Sequence, residues 1–459
     1  MTSSPSDSRA LGGPILSTFF YFVIPSIVGL LAITTASIVD GIFVGNYVGA
    51  EALAAVTLMI PFFTLLFGLA LMLAVGGSVR AGKYFGEDDN EAASAIFSKC
   101  LIAIVAFGIS LTSVSLLFEE QIFTLLGAPP ELFALMSPYF RIVAVAMPIQ
   151  LASVVLYYFI RAEGRPVHAT SALVTGSLAN IMLNALFVAY LGYGLAGAAW
   201  ATLLAQSIQL AVMLAYFTVP VRRLRFQFVR HGWRELGSAA YNGVSEFINE
   251  ISAGLVILLI NWLMMLKLGV DGVAAFTVVN YLIFLSMMVF YGIADAMHLL
   301  VSQNYGAGKL QRIRRFMMAG LCAILLLSGL LISLLFTAGD LLVDMFLEDS
   351  AVAAAELARS FFFILWPLFP VNGVNVLISA YLTAMHLPLA SATVAFSRSL
   401  VLPITLLLCF YWWLPDQPIL LALPVAEWLT FLLAGALYLR FRPRRLVPVK
   451  PAPALAEAA

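Results

Sequence analysis

The chain has 459 residues, of which 62% are apolar and only 10% charged. Ordinary soluble domains carry about 25% charge and about 45–50% apolar residues, so a string of soluble domains is excluded, as is a disordered, collagenous or disulfide-stapled chain. Lys+Arg and Asp+Glu both total 24, so the net charge is zero and offers no basic footprint for nucleic acid.

What remains is an all-α integral membrane protein. Intervals free of Asp, Glu, Lys and Arg run from Arg9 to Asp40, from Glu51 to Arg80 and from Lys99 to Glu119. The interval from Arg165 to Arg222 is too long for one helix, and Gly192-Tyr193-Gly194 divides it. The same reading along the chain predicts twelve spans, near 15–44, 52–78, 94–118, 132–159, 167–191, 195–219, 238–265, 272–300, 314–337, 353–382, 388–411 and 417–440. Each is long enough to cross a bilayer, and a helix satisfies its own backbone in lipid. No run of alternating ten-residue strands supports a β-barrel.

Basic residues predict the orientation. The even-numbered connections and the tails hold 21 of them, including Arg161, Arg398 and Lys450, whereas the odd-numbered connections hold Arg141, Lys267 and Arg359. Both termini are therefore expected in the cytoplasm. Glu119, Glu120, Glu131, Asp340, Asp344, Glu348 and Asp349 gather on the opposite side. Residues 1–11 do not read as a cleavable signal. Cys100, Cys322 and Cys409 all fall inside spans, with no disulfide or metal spacing.

The chain matches itself. At a shift of 220 residues, the run from Gly49 to Thr57 faces the run from Gly269 to Thr277, and Phe85-Gly86 faces Tyr305-Gly306. At 222, Cys100 meets Cys322, Pro148 meets Pro370, Ala162 meets Ala384 and Pro166 meets Pro388. Two six-helix bundles related by a parallel repeat follow, with an N-terminal lobe at 1–220, a basic cytoplasmic linker at 221–237, a C-terminal lobe at 238–440 and a cytoplasmic tail at 441–459. Two such bundles create one interface, and rocking them exposes it to either side in turn.

Polar residues at membrane depth are costly and commonly functional. Asp40 in span 1 is a candidate for binding a proton or cation in a cavity, against the plainer role of an interfacial charge. Asn180 and Asn184, at i and i+4, share a face of span 5. With Asp40 they form a candidate carboxylate-plus-amide site, or else simply tie helices together. Glu246 and Glu250 share a face of span 7, with Glu246 about three turns in. Two carboxylates so placed repel when both are ionised, which suits one of them to proton binding. Asp295 and His298, at i and i+3 near the cytoplasmic end of span 8, pair a carboxylate with an imidazole. Glu427 follows Pro424 in span 12. Prolines 25, 61, 148, 370, 388, 403 and 424 kink or shape helices. There is no Walker loop or Rossmann glycine pattern, so transport is driven by an ion gradient or is passive.

The residues resemble the multidrug and toxic compound extrusion (MATE) family over about 12–440. The resemblance rests on Val39-Asp40-Gly41-Ile42-Phe43-Val44-Gly45, on Gly76-Gly77-Ser78 with Tyr84-Phe85-Gly86-Glu87, on Gly197-Ala198-Ala199-Trp200-Ala201-Thr202 and on Gly243-Val244-Ser245-Glu246-Phe247. Ser302-Gln303-Asn304-Tyr305-Gly306-Ala307-Gly308 is similar to the bacterial MepA-like and DinF-like group in particular. The resemblance implies a secondary antiporter of the inner membrane, not an enzyme and without a cofactor, that exports organic cations or amphipathic drugs as H⁺ or Na⁺ enters. It implies coupling at Asp40, with Asn180 beside it, and a second acidic site at Glu246. The chain departs from relatives in carrying Asn184 where many have Asp, His298-Leu299 where the MepA-like group has Gln-Pro, and Asn372 and Asn375 but no Asp in span 10. These departures favour H⁺ over Na⁺ at Asp40. A monomer suffices for the mechanism. One rival is a lipid-linked oligosaccharide flippase of the same superfamily, which calls for a wide cationic cavity that only Arg141, Arg359 and Arg398 could line. The other is a channel or non-transporting receptor.

Overall fold

The computed structural model describes residues 9–344 and 351–446. Glu348, Asp349 and Lys450 lie outside the described residues, as do the side chains of Asp344 and Arg445. Among the described residues, ten helices are long and apolar enough to cross a membrane. They are Ile15–Val48, Ala50–Gly86, Asn90–Leu117, Pro130–Glu163, Pro166–Tyr190 and Gly194–Thr218 (spans 1 to 6), then Val244–Gly306, Leu310–Val343 (span 9), Pro388–Trp413 (span 11) and Ile419–Arg440 (span 12). Val244–Gly306 holds both span 7 and span 8, because Gly269 (φ 65°, ψ −153°) breaks it. Span 10 is the pair Val352–Leu365 and Leu368–Ala384, bent by 53°. Twelve spans therefore form two six-helix lobes.

The repeat is visible in backbone conformation. Gly49 (φ 119°) and Gly269 (φ 65°), partners at a shift of 220, both use positive φ to turn the chain between the first two spans of their lobes. Asp88 (φ 65°) matches Gly308 (φ 70°) after span 2 and span 8, and Gly164 (φ 110°) matches His386 (φ 57°) after span 4 and span 10. Left-handed residues of this kind close helix C-termini. Pro166 and Pro388 then stand in the first turn of span 5 and span 11, where a missing N–H costs nothing.

Span boundaries shift where charge is not at a helix end. Span 2 runs on to Gly86, carrying Arg80 and Lys83 past the apolar stretch. Span 4 continues to Glu163 because Arg161 is buried rather than looped out. Residues 234–242 form a separate short helix, and span 7 starts at Val244. Glu246 is thus in the first turn of span 7, not about three turns in.

The stretch before that short helix is tied to the N-terminal lobe. Arg223 Nε donates to Asn90 Oδ1 at 2.7 Å and its backbone N–H to Glu163 Oε1 at 2.6 Å, while the amides of Arg225 and Gln227 donate to Ser94 Oγ and Ser98 Oγ. Glu235 accepts from Tyr84 at 2.6 Å and Lys99 at 2.9 Å, and pairs with Arg80 at 3.6 Å. Burial pushes the Glu235 carboxyl up, but these partners outweigh it and hold it below the usual range.

Among the described residues, single stretches of π-helix interrupt three spans, at Val44–Val48, Ala185–Tyr190 and Ser397–Val401. Such bulges cost hydrogen-bond geometry and concentrate at functional sites. Here they follow Asp40, follow Asn184 and contain Arg398.

Candidate functional site

In the N-terminal lobe, spans 1 and 5 bring Asp40, Asn180 and Asn184 together. Asn184 is fully buried. Its Nδ2 donates to Asp40 Oδ1 at 2.8 Å and approaches Asn180 Oδ1 at 3.3 Å. Asn184 Oδ1 forms no hydrogen bond among the described residues. The same two helices are also tied farther along, where Thr170 Oγ1 of span 5 donates to the Pro25 carbonyl of span 1 at 2.9 Å. The amide N–H favours the ionised carboxylate, whereas a protonated carboxyl becomes a donor itself.

Spans 7, 8, 10 and 11 enclose a second polar cavity of about 20 Å³, lined by Glu246, Asn249, Tyr291, Asp295, His298 and Arg398 among others. That is room for about one water. The sequence pairs Asp295 with His298, and the structure does not. Asp295 Oδ2 accepts from Arg161 Nη1 at 3.1 Å, and Tyr158 Oη lies at 3.3 and 3.4 Å from the two carboxylate oxygens. A guanidinium with five donors outcompetes an imidazole one turn away on the same helix. His298 instead lies 3.8 Å from Glu246 Oε1, and neither of its ring nitrogens forms a hydrogen bond among the described residues. Both Asp295 and His298 are buried.

Glu250 does not share this cavity. It lines a larger one of about 160 Å³ with Phe63, Thr64 and Phe67 of span 2 and Met147, Gln150 and Leu151 of span 4. One turn along span 7 thus separates two surroundings: Glu246 faces the C-terminal lobe and Glu250 faces the cleft between lobes.

Sequence reasoning missed Arg161 and offered Arg398 only for the cavity of the rival flippase reading. Arg161 is fully buried and Arg398 is 5% exposed. Arg398 Nη2 donates to Tyr291 Oη at 3.0 Å and Asn249 Oδ1 at 3.1 Å. Its position ten residues into a predicted span was the available signal. Glu427 is buried and accepts from Asn372 Nδ2 at 2.6 Å and Asn375 Nδ2 at 2.7 Å, a closed cluster. Arg141 and Arg359 pair with Glu119 and Asp340, so they do not join Arg398 in a cationic cavity.

Comparison with known proteins agrees with this architecture. The family model MatE matches residues 25–186 and 251–408, one block in each lobe. The multidrug export protein MepA of Staphylococcus aureus is 23% identical over 373 residues, covering 81% of this chain and 82% of its own. A MOP superfamily transporter from Pyrococcus furiosus superimposes with a TM-score of 0.88 at 22% identity, covering 98% of this chain and 100% of its own. An outward-facing multidrug resistance MATE family transporter gives 0.87 at 22% identity, with the same coverage. At that identity the superpositions speak for the fold alone, but the family model covers more than half of the chain: the protein is a multi-pass membrane protein of the MATE multidrug transporter family.

Proposed function

We propose that this protein exports small organic cations or amphipathic drugs in exchange for H⁺, by alternating access between its two lobes. The observation that carries the reading is the Asp40–Asn184 hydrogen bond at 2.8 Å. An ionised carboxylate at membrane depth costs at least ~2.5–3.5 kcal/mol, and among the described residues no cation pairs with Asp40. A proton removes that cost. When Asp40 is ionised, the Asn184 amide stabilises it, so proton gain and loss change what spans 1 and 5 hold between them. Coupling then needs only that the protonated and ionised forms favour different lobe arrangements.

The cleft beside Glu250 suits the cargo. Phe63 and Phe67 offer π-faces to a cation, Met147 adapts to shape, and Glu250 supplies the counter-charge. Its volume of about 160 Å³ is below the ~300–1,000 Å³ of sites for drug-sized ligands, so cargo of that size enters when the lobes part. The similarity to MepA, a multidrug export protein, supports the substrate class. We also propose cytoplasmic termini, lobes bounded near 220 and 238, and a working monomer in a bacterial plasma membrane.

The test is proteoliposome transport of a fluorescent cationic dye with ΔpH and ΔpNa imposed separately. ΔpH alone is expected to drive the wild type, and Asp40→Asn to abolish the driven component while the protein stays folded. Wild-type rates in that variant, or driving by ΔpNa alone, refute H⁺ coupling at Asp40.

A further inference from the structure

We propose that Arg161 and Asp295 are the latch of this transporter: their buried ion pair clasps the two lobes at the face that carries the N-terminus, and it parts whenever that face opens. The proposal rests on the alternating-access reading above.

The pair crosses between lobes. Arg161 belongs to span 4 and Asp295 to span 8, and they meet at 3.1 Å with no part of the Arg161 side chain exposed. The guanidinium is held in its aim. Its Nη1 also donates to Tyr157 Oη at 3.0 Å, its Nη2 donates to Ser26 Oγ of span 1, and its plane lies 4.8 Å from the Tyr157 ring centre. The three N-lobe groups keep the charge in place, and among the described residues the only carboxylate it pairs with comes from the other lobe.

The same face is closed by backbone on backbone. A Cβ built on Gly86 would fall 2.0 Å from the Gln303 carbonyl oxygen, and one on Gly306 would fall 2.0 Å from the Lys83 carbonyl oxygen. Gly86 and Gly306 are repeat partners, and so are Lys83 and Gln303. Gly82 meets its own partner Ser302, at 2.3 Å from a built Cβ to Oγ. These contacts straddle the repeat axis. The segment at Ala10 and Leu11 lies across the same face, with its carbonyls accepting from Asn304, Arg312 and Lys309 of the C-terminal lobe. Glycine contacts let the two spans approach but supply little directional attraction. The ion pair supplies it.

Nothing duplicates the pair. The repeat partner of Arg161 is Thr383 and that of Asp295 is Val75. Removing one member strands the other charge in a dry interface, which is strongly unfavourable, whereas parting the lobes lets water reach both. Loss of either residue therefore favours the open face.

The test uses the full chain with Cys100, Cys322 and Cys409 replaced by Ala, spin labels at the exposed positions Glu87 and Gln311, and reconstitution in liposomes at one pH. The wild type is expected to show mainly the short inter-label distance. Arg161→Ala and Asp295→Asn should each raise the ratio of long to short distances by about tenfold or more. The double variant should shift no further than either single one, because one interaction is lost in all three. Arg161→Lys, which keeps the charge, should shift least and guards against misfolding in the others. Unchanged distances in the single variants, or effects that sum in the double variant, overturn the latch. Distances read lobe geometry and not coupling: failure of the Asp40 transport test leaves a positive latch result standing, and intact proton-driven transport with unchanged distances overturns the latch alone.

Discussion

Replacing Gly86 or Gly306 by Ala puts a methyl group where the facing carbonyl oxygen leaves 2.0 Å. Cβ contacts begin at about 3.0 Å, so the two backbones must withdraw by about 1 Å, and neither side is a flexible side chain that can swing away. Overpacking of this kind costs about 1–3 kcal/mol. If the cost falls on the closed arrangement alone, the ratio of open to closed lobes rises roughly 5- to 150-fold at about 1.4 kcal/mol per tenfold. The assay is maleimide labelling of a single cysteine at Ser302, a fully buried position beneath Gly82. Its labelling rate should rise by the same factor. Because the two glycines share one interface across the repeat axis, a single withdrawal relieves both, and Gly86→Ala with Gly306→Ala should fall short of the product of the single effects. Gly329→Ala and Gly435→Ala, where a built Cβ meets nothing within 4 Å, should leave the rate unchanged. Labelling within twofold of wild type in folded Gly86→Ala and Gly306→Ala proteins refutes the idea that this contact closes the face.

Glu250→Gln should weaken a cationic dye by about tenfold or more, the loss of one charge-assisted contact, and leave a neutral amphipathic substrate almost untouched in competition binding; equal losses for both place Glu250 outside the cargo site. The Glu235 carboxyl, held below its ordinary value of 4.5 by Tyr84, Lys99 and Arg80, contributes stability that is present above that value and is lost as pH falls through its lower folded-state value. A spin label at His231 should therefore stay immobilised from neutral pH down to about 4.5 and loosen below it, and should be loose at every pH in Glu235→Gln; a label immobile in that variant removes Glu235 as the tether.

Much of the fold was legible because charge is scarce. Gly49 and Gly269 stand at matching turns in the alignment and take positive φ at both, so sequence identity across the repeat reported conformation directly. Charge-free intervals failed where a charge lies within a helix and not at its end. Arg161 sits beside Glu163 and Arg165, looks like the start of a loop, and so truncated span 4 by a turn. Arg398 was counted with the connections although it falls inside span 11. The trio Asp40, Asn180 and Asn184 was legible because two of its members lie one turn apart and the third is the only carboxylate in its span. The cluster at Asp295 was not. Spacing along span 8 suggests His298 as its neighbour, and no pattern within one helix shows that an arginine 134 residues away will take the carboxylate.

Backbone and charge follow different symmetries, and that difference is where coupling can arise. Turns, prolines and glycine contacts repeat between lobes, but the polar groups at the candidate sites do not: at the same shifts Asp40 faces Ile260, Asn184 faces Leu406, Glu246 faces Ser26 and Asp295 faces Val75. Span 1 is the element that touches both functional places. Ser26 accepts from Arg161, and Asp40 stands 14 residues further along the same helix, roughly 20 Å away at 1.5 Å per residue. If a proton on Asp40 changes the balance between closed and open lobes, that balance must in turn change proton affinity by the same factor. The ratio of long to short distances between spin labels at Glu87 and Gln311 should then depend on pH in the wild type, and Asp40→Asn should fix it near the low-pH ratio at every pH, since the amide mimics the protonated acid. A pH dependence that survives Asp40→Asn assigns the titration to another group and separates the Asp40 site from the movement of the lobes, however well the hydrogen bond to Asn184 is formed.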